Sequence, residues 1–184
     1  MKKIFKQTVF VLLCIGMLFS LSSCGLVDSH KQFFANSIEI TTLTNTQAKD
    51  YFTSESFSFA KLGGVMFVPT MQDRGEEYSI WITCLSEYGN EEILINNMTL
   101  KSAGNIIFDH KLDREILLEK GEHFLYSGQI REAIAKEETK IPIEHNTELE
   151  LSIDVSVTEN GEILSETITY DIVVKIRKEL LWPT

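Results

Sequence analysis

Glu148-Leu149-Glu150-Leu151-Ser152-Ile153-Asp154-Val155-Ser156-Val157-Thr158 alternates acidic or hydroxyl side chains with branched aliphatic ones along its whole length. Successive side chains of a strand leave on opposite faces, so this run predicts a β-strand with one buried and one wet face. Asn160-Gly161 follows almost at once. Both residues tolerate positive φ, which the favoured two-residue hairpin turn requires. The chain then returns with Ile168, Tyr170, Ile172, Val174 and Ile176 on one face and Thr167, Thr169, Asp171, Lys175 and Arg177 on the other. Such a hairpin can bury its apolar face only against further structure, and the rest of the chain supplies more strands.

From Ile38 onward, short β-rich runs alternate with turn signals at roughly 8–15-residue spacing, the pattern of an all-β sandwich or barrel. A second hairpin is predicted between 78–86 and 92–101, joined through Tyr88-Gly89-Asn90. A third turn at Ala103-Gly104-Asn105 leads to Ile106, Ile107 and Phe108. Further strands are predicted at 38–43, 57–68 and 116–119, with a short one at 123–126, and Gly63-Gly64 reads as a bend or bulge inside a strand. Two segments break the pattern. Residues 46–52 suit one or two helical turns. Residues 129–138 read as helix, with Ile130 and Ile134 on one stripe and Glu132 four residues before Lys136, ending before Pro142. Connections of this kind suit a chain that crosses between sheets. The expected fold is therefore an all-β, immunoglobulin-like or transthyretin-like Greek-key sandwich with one or two short helical connections. The Cys–Trp–Cys pattern of antibody domains is absent.

At the other end of the chain, Lys2, Lys3 and Lys6 precede an apolar run from Val9 to Phe19, and Leu21-Ser22-Ser23-Cys24 closes it. A basic start, a short apolar stretch and small residues make a secretory signal peptide, too short to remain as a membrane span. The cysteine after the small pair resembles the lipobox of bacterial lipoproteins. That resemblance implies cleavage before Cys24, diacylation of its sulfur, and tethering of an exported domain to the cell membrane or outer membrane; two or three acyl chains hold stably where one binds only marginally. The expected organisation is a signal peptide at 1–23, a lipidated N-terminus and short tether at 24–36, and one β-sandwich domain at 37–184.

Cleavage there would remove three lysines and no acid from a total of 17 basic and 27 acidic residues, leaving 161 residues with a formal charge of −13. So acidic a chain is poorly suited to nucleic acid or to lying along anionic lipid through a basic patch. Cys14 would leave with the signal peptide and Cys24 would carry lipid, so Cys84 is the remaining thiol and no intramolecular disulfide is expected. The strand period places Cys84 on the face of Tyr78, Ile80 and Ile82, as a small buried hydrophobe.

Chemical signatures are sparse. His30, His110, His123 and His145 never fall at the spacing of zinc pairs. Asp109, Asp113 and Glu115 lack the glycine and terminal glutamate of a calcium loop, and neither a nucleophile elbow nor a phosphate loop is present. No catalytic residue, metal or cofactor is expected. Trp81 and Trp182 are candidate partner-binding aromatics, since tryptophan is enriched at interface anchors. The sequence thus points to a membrane-anchored lipoprotein with a non-catalytic sandwich that binds a protein or cell-envelope component. The alternative is a tethered carrier of a small ligand or cation.

Overall fold

A computed structural model describes residues 26–54, 59–121, 125–137 and 143–181. Contacts divide the chain into a body, Lys31–Ile176, and a terminal unit, Met1–His30 with Arg177–Thr184, whose described residues are strand. The elements are β1 (Leu26–Ala35), β2 (Ile38–Glu39), α1 (Asn45–Thr53), β3 (Lys61–Leu62), β4 (Val65–Asp73), β5 (Glu77–Ser86), β6 (Glu92–Ser102), β7 (Asn105–Ile116), β8 (Glu119–Lys120), β9 (Tyr126–Ala135), β10 (Glu148–Glu159) and β11 (Glu162–Leu181). They form two antiparallel sheets, ordered β2-β1-β11-β10-β6-β7 and β3-β4-β5-β9-β8, in an all-β sandwich.

The β10–β11 hairpin forms as the alternation requires. Its register runs unbroken from Glu148 opposite Val173 to Glu159 opposite Glu162, and Asn160 and Gly161 both take positive φ, 52° and 84°. Leu149, Leu151, Ile153, Val155 and Val157 are buried, as are Ile168, Tyr170, Ile172 and Val174. The opposite face is a ladder of polar pairs: Thr167 donates to Asp154 at 2.6 Å, and Ser156 lies 2.9 Å from Ser165. The two sheets are tied directly where the Tyr170 hydroxyl donates to the Phe67 carbonyl at 2.6 Å. The third predicted turn also forms: Ala103 and Gly104 take φ of 48° and 77° between β6 and β7. Helix α1 begins with a capping box in which Thr44 and Gln47 satisfy one another's backbone N–H groups.

Several expectations give way. Residues 129–137 are not helical, and 138 lies outside the described residues; Tyr126–Ala135 is strand β9, paired with β5 along its length. Ile130 and Ile134 are four apart, a spacing shared by a helical stripe and by alternate residues of one strand face, and packing against Ile82 and Tyr78 of β5 decides for the strand. The predicted hairpin between 78–86 and 92–101 does not exist either, because β5 and β6 lie in different sheets. Residues 87–91 arch from one sheet to the other. β7 likewise leads over to β8, and β9 to β10, which are the sheet-changing connections of a Greek-key sandwich. Gly63-Gly64 is the tight turn between β3 and β4 and not a bend inside one strand. The stretch read as a spacer forms β1, with Phe33 and Ala35 fully buried. The predicted short strand at 123–126 falls mostly outside the described residues.

Candidate functional site

The arch between β5 and β6 is organised by one hydroxyl. Ser86 Oγ accepts from the backbone N–H groups of Tyr88 and Gly89 at 3.0 and 3.2 Å, and donates to Glu91 Oε1 at 2.7 Å. Glu91 is thereby drawn under the arch and is 95% buried in effect, with a relative exposure of 5%. Its second oxygen, Oε2, is buried and has no hydrogen-bond partner among the described residues. A side chain built on Gly64 would begin 3.7 Å from Glu91 Oε1 and 3.8 Å from Glu159 Oε1. Two carboxylates therefore converge on the β3–β4 turn.

Beside this arch a groove of about 700 Å³ opens across the end of the six-stranded sheet. Its floor follows from the strand register: Leu94 of β6 stands between Glu115 of β7 and Ser156 of β10, and Thr158 stands between Glu92 and Ile163. Leu117 and Leu118 continue the wall after β7 ends. Leu117 is 79% exposed and Ile163 is 70% exposed, so the groove presents apolar surface to solvent. Glu91, Glu92 and Glu115 supply its charge, and no lysine or arginine is among the residues that line it.

The groove lies at one definite end of the body. Strand β5 starts near Lys31, whose ammonium lies 2.8 Å from the Tyr78 hydroxyl and 3.2 Å from Asp73, and ends at Ser86 under the groove arch. A ten-residue strand separates them, about 30 Å at the usual rise. Lys31, the first residue of the body, thus lies at the end away from the groove.

Trp81 stands elsewhere, on the outward side of β5 between Thr70 and Arg131. The guanidinium groups of Arg74 and Arg131 lie 4.9 and 5.4 Å from its ring centroid, so its faces are occupied by cations of the same chain. Arg131 is itself held by Glu77 at 2.6 Å. Trp182, Cys24 and His123 lie outside the described residues. His110 pairs with Glu132, and His145 Nδ1 accepts from the Ile176 backbone at 2.9 Å. Among the described residues no group of three or more His, Cys, Asp or Glu side chains is placed to hold a metal. Asp109 is engaged by Asn97 and Thr99, and Asp113 by Lys111. Cys84 is fully buried, and burial pushes its thiol far up from its ordinary pKa, which suits packing and not nucleophilic attack.

Neither Glu91 nor the groove was singled out by sequence reasoning. A signal existed: Ile163 falls on the polar face of its hairpin opposite Thr158, and Leu117-Leu118 puts two large aliphatics in succession where a strand buries only one. No protein family matches the chain, and no curated protein matches it significantly.

Proposed function

We propose that this chain is an exported lipoprotein, held at a bacterial membrane by acyl chains on Cys24, whose sandwich binds another protein through the groove beside the Ser86–Glu91 arch. The observation that carries the binding reading is the exposure of Leu117 and Ile163 in the lining of one concave surface. Isolated apolar residues are ordinary at surfaces, but a concave apolar patch rimmed by charge is the form that docking sites take. The tether supports the same reading. Cys24 precedes Lys31 by seven residues, and Lys31 joins the body at the end remote from the groove. The groove is thus clear of the residue at which the body begins.

The test is the state of the tagged, full-length protein purified from its own membranes in mild detergent. The wild type is expected in a discrete complex larger than the monomer, and Leu117→Asp and Ile163→Glu are expected to run as monomers with unchanged melting temperature. A wild type that is monomeric, or a complex indifferent to both substitutions, contradicts the proposal.

A further inference from the structure

Resting on that reading of the groove as a docking surface, we infer that the partner inserts a lysine or arginine flanked by apolar residues, and that Glu91 receives its charged head. Glu91 Oε2 is a buried acceptor without a donor among the described residues, and such groups are rare because the lost hydration is not regained. The local donor is already used. Ser86 donates its hydroxyl proton to Oε1 and receives two backbone N–H groups on its oxygen. Glu159 approaches the same turn, and Glu92 and Glu115 add two further acids to the groove. An arriving cation supplies the missing donor and relieves this like-charge crowding. Glu91 is itself among the residues that line the groove, so a cation seated there has this carboxylate as a neighbour.

The apolar walls fix the kind of cation. A bare metal ion has no use for Leu117 and Ile163, and among the described residues no set of three ligands is placed for one. Lysine and arginine carry a long aliphatic stem below a charged head, which matches a groove lined by leucine, isoleucine and carboxylates together. The net charge of −10 over the whole chain favours approach of a basic segment by the same sign of field. A bilayer is the less suitable occupant, because Glu91, Glu92 and Glu115 give the groove the charge that anionic headgroups repel.

The probe is a phage-displayed library of random dodecapeptides, selected on the full-length protein in detergent. Groove-directed clones are those that lose binding to Leu117→Asp and Ile163→Glu. They are expected to share a lysine or arginine next to apolar residues. Replacing that residue by glutamine, or using Glu91→Gln protein, is expected to lower affinity about ten-fold or more, the size of one charge-assisted contact. The peptide arm needs no change at Glu91, so the test stands even where Glu91→Gln fails to fold. Groove-directed clones indifferent to both changes would overturn the inference and leave the docking reading intact. A selection that yields no groove-directed clone would overturn both.

Discussion

Glu132 of β9 and His110 of β7 meet with Oε2 and Nδ1 2.9 Å apart, although their strands belong to different sheets. Arg114 takes the other carboxylate oxygen at 3.0 Å, so one glutamate is held by two groups from the facing edge strand. Glu132 occupies an inward position of β9, between Ile130 and Ile134 and opposite Ile80, and is buried. The sandwich is thus closed along β7 and β9 by a polar clasp where its neighbours use aliphatic packing.

Breaking that clasp from one side is expected to be worse than removing it. Arg114→Ala leaves a buried carboxylate oxygen short of a donor and is expected to destabilise by about 1–3 kcal/mol. Glu132→Leu removes the buried charge and fills the space, and is expected to lie within about 1 kcal/mol of wild type. In the Glu132→Leu background, Arg114→Ala should then have little further effect. Urea unfolding of the four proteins decides it; equal effects of Arg114→Ala in both backgrounds would show that the clasp does not couple the two residues.

Cys84 is expected to resist a thiol reagent in the folded protein and to react at once in denaturant, since the side chain is fully buried and burial disfavours the thiolate. Cys84→Ser buries a hydroxyl among Ile82, Phe67 and their neighbours and is expected to cost about 1–3 kcal/mol. Rapid labelling of Cys84 without denaturant would contradict the packing described for β5.

The strand pattern was legible wherever one face of a strand is wet. In β10 each aliphatic residue alternates with a polar one, and the register of the whole hairpin follows. In β5 and β9 the signal weakens for different reasons. Both faces of β5 are largely buried, so its partners cannot be told from its own sequence, and a hairpin with β6 was the natural but mistaken pairing. In β9 the inward position of Glu132 breaks the apolar series, and its spacing to Lys136 imitates a helical ion pair. The groove was harder still. It is made by Glu91 from an arch, Leu117 from a strand end and Ile163 from a hairpin, and only the sheet topology brings these together. Glu91 gives no local sign that it is buried, because Ser86, five residues earlier, is what draws it in.

At the end of the body where Lys31 enters, Asp73 accepts from Lys136 at 2.6 Å and lies 3.2 Å from Lys31. Burial raises the pKa of this carboxyl, but hydrogen bonds from Lys136, the Gly75 backbone and Lys31 outweigh it and hold the group below the ordinary carboxylate range. A folded pKa below the unfolded one means that the unfolded chain binds more protons in between. The stabilisation is therefore complete above the unfolded value of about 4 and is lost as pH falls through the folded value. Asp73→Asn is expected to lower stability at neutral pH, with the difference from wild type shrinking as pH is lowered from 7 to about 3. A difference that stays constant in urea unfolding across that range would show that the ionised Asp73 is not the source.

Acylation is expected to depend on Cys24 alone. On the lipoprotein reading, cells fed a clickable fatty acid should label the wild-type protein, whereas Cys24→Ala should stay unlabelled and accumulate as precursor or soluble protein. Equal labelling of the two would contradict the lipoprotein reading.

Site-directed photo-crosslinking in intact cells probes the binding role most directly. Benzoylphenylalanine placed at Leu117 and at Ile163, both exposed on the groove walls, is expected to capture the same protein from either position. The same group at Ile106, which is 61% exposed at the β6–β7 turn away from the groove, should capture none of it. Adducts that are absent at both groove positions, or equally strong from Ile106, would contradict a partner seated beside the Ser86–Glu91 arch.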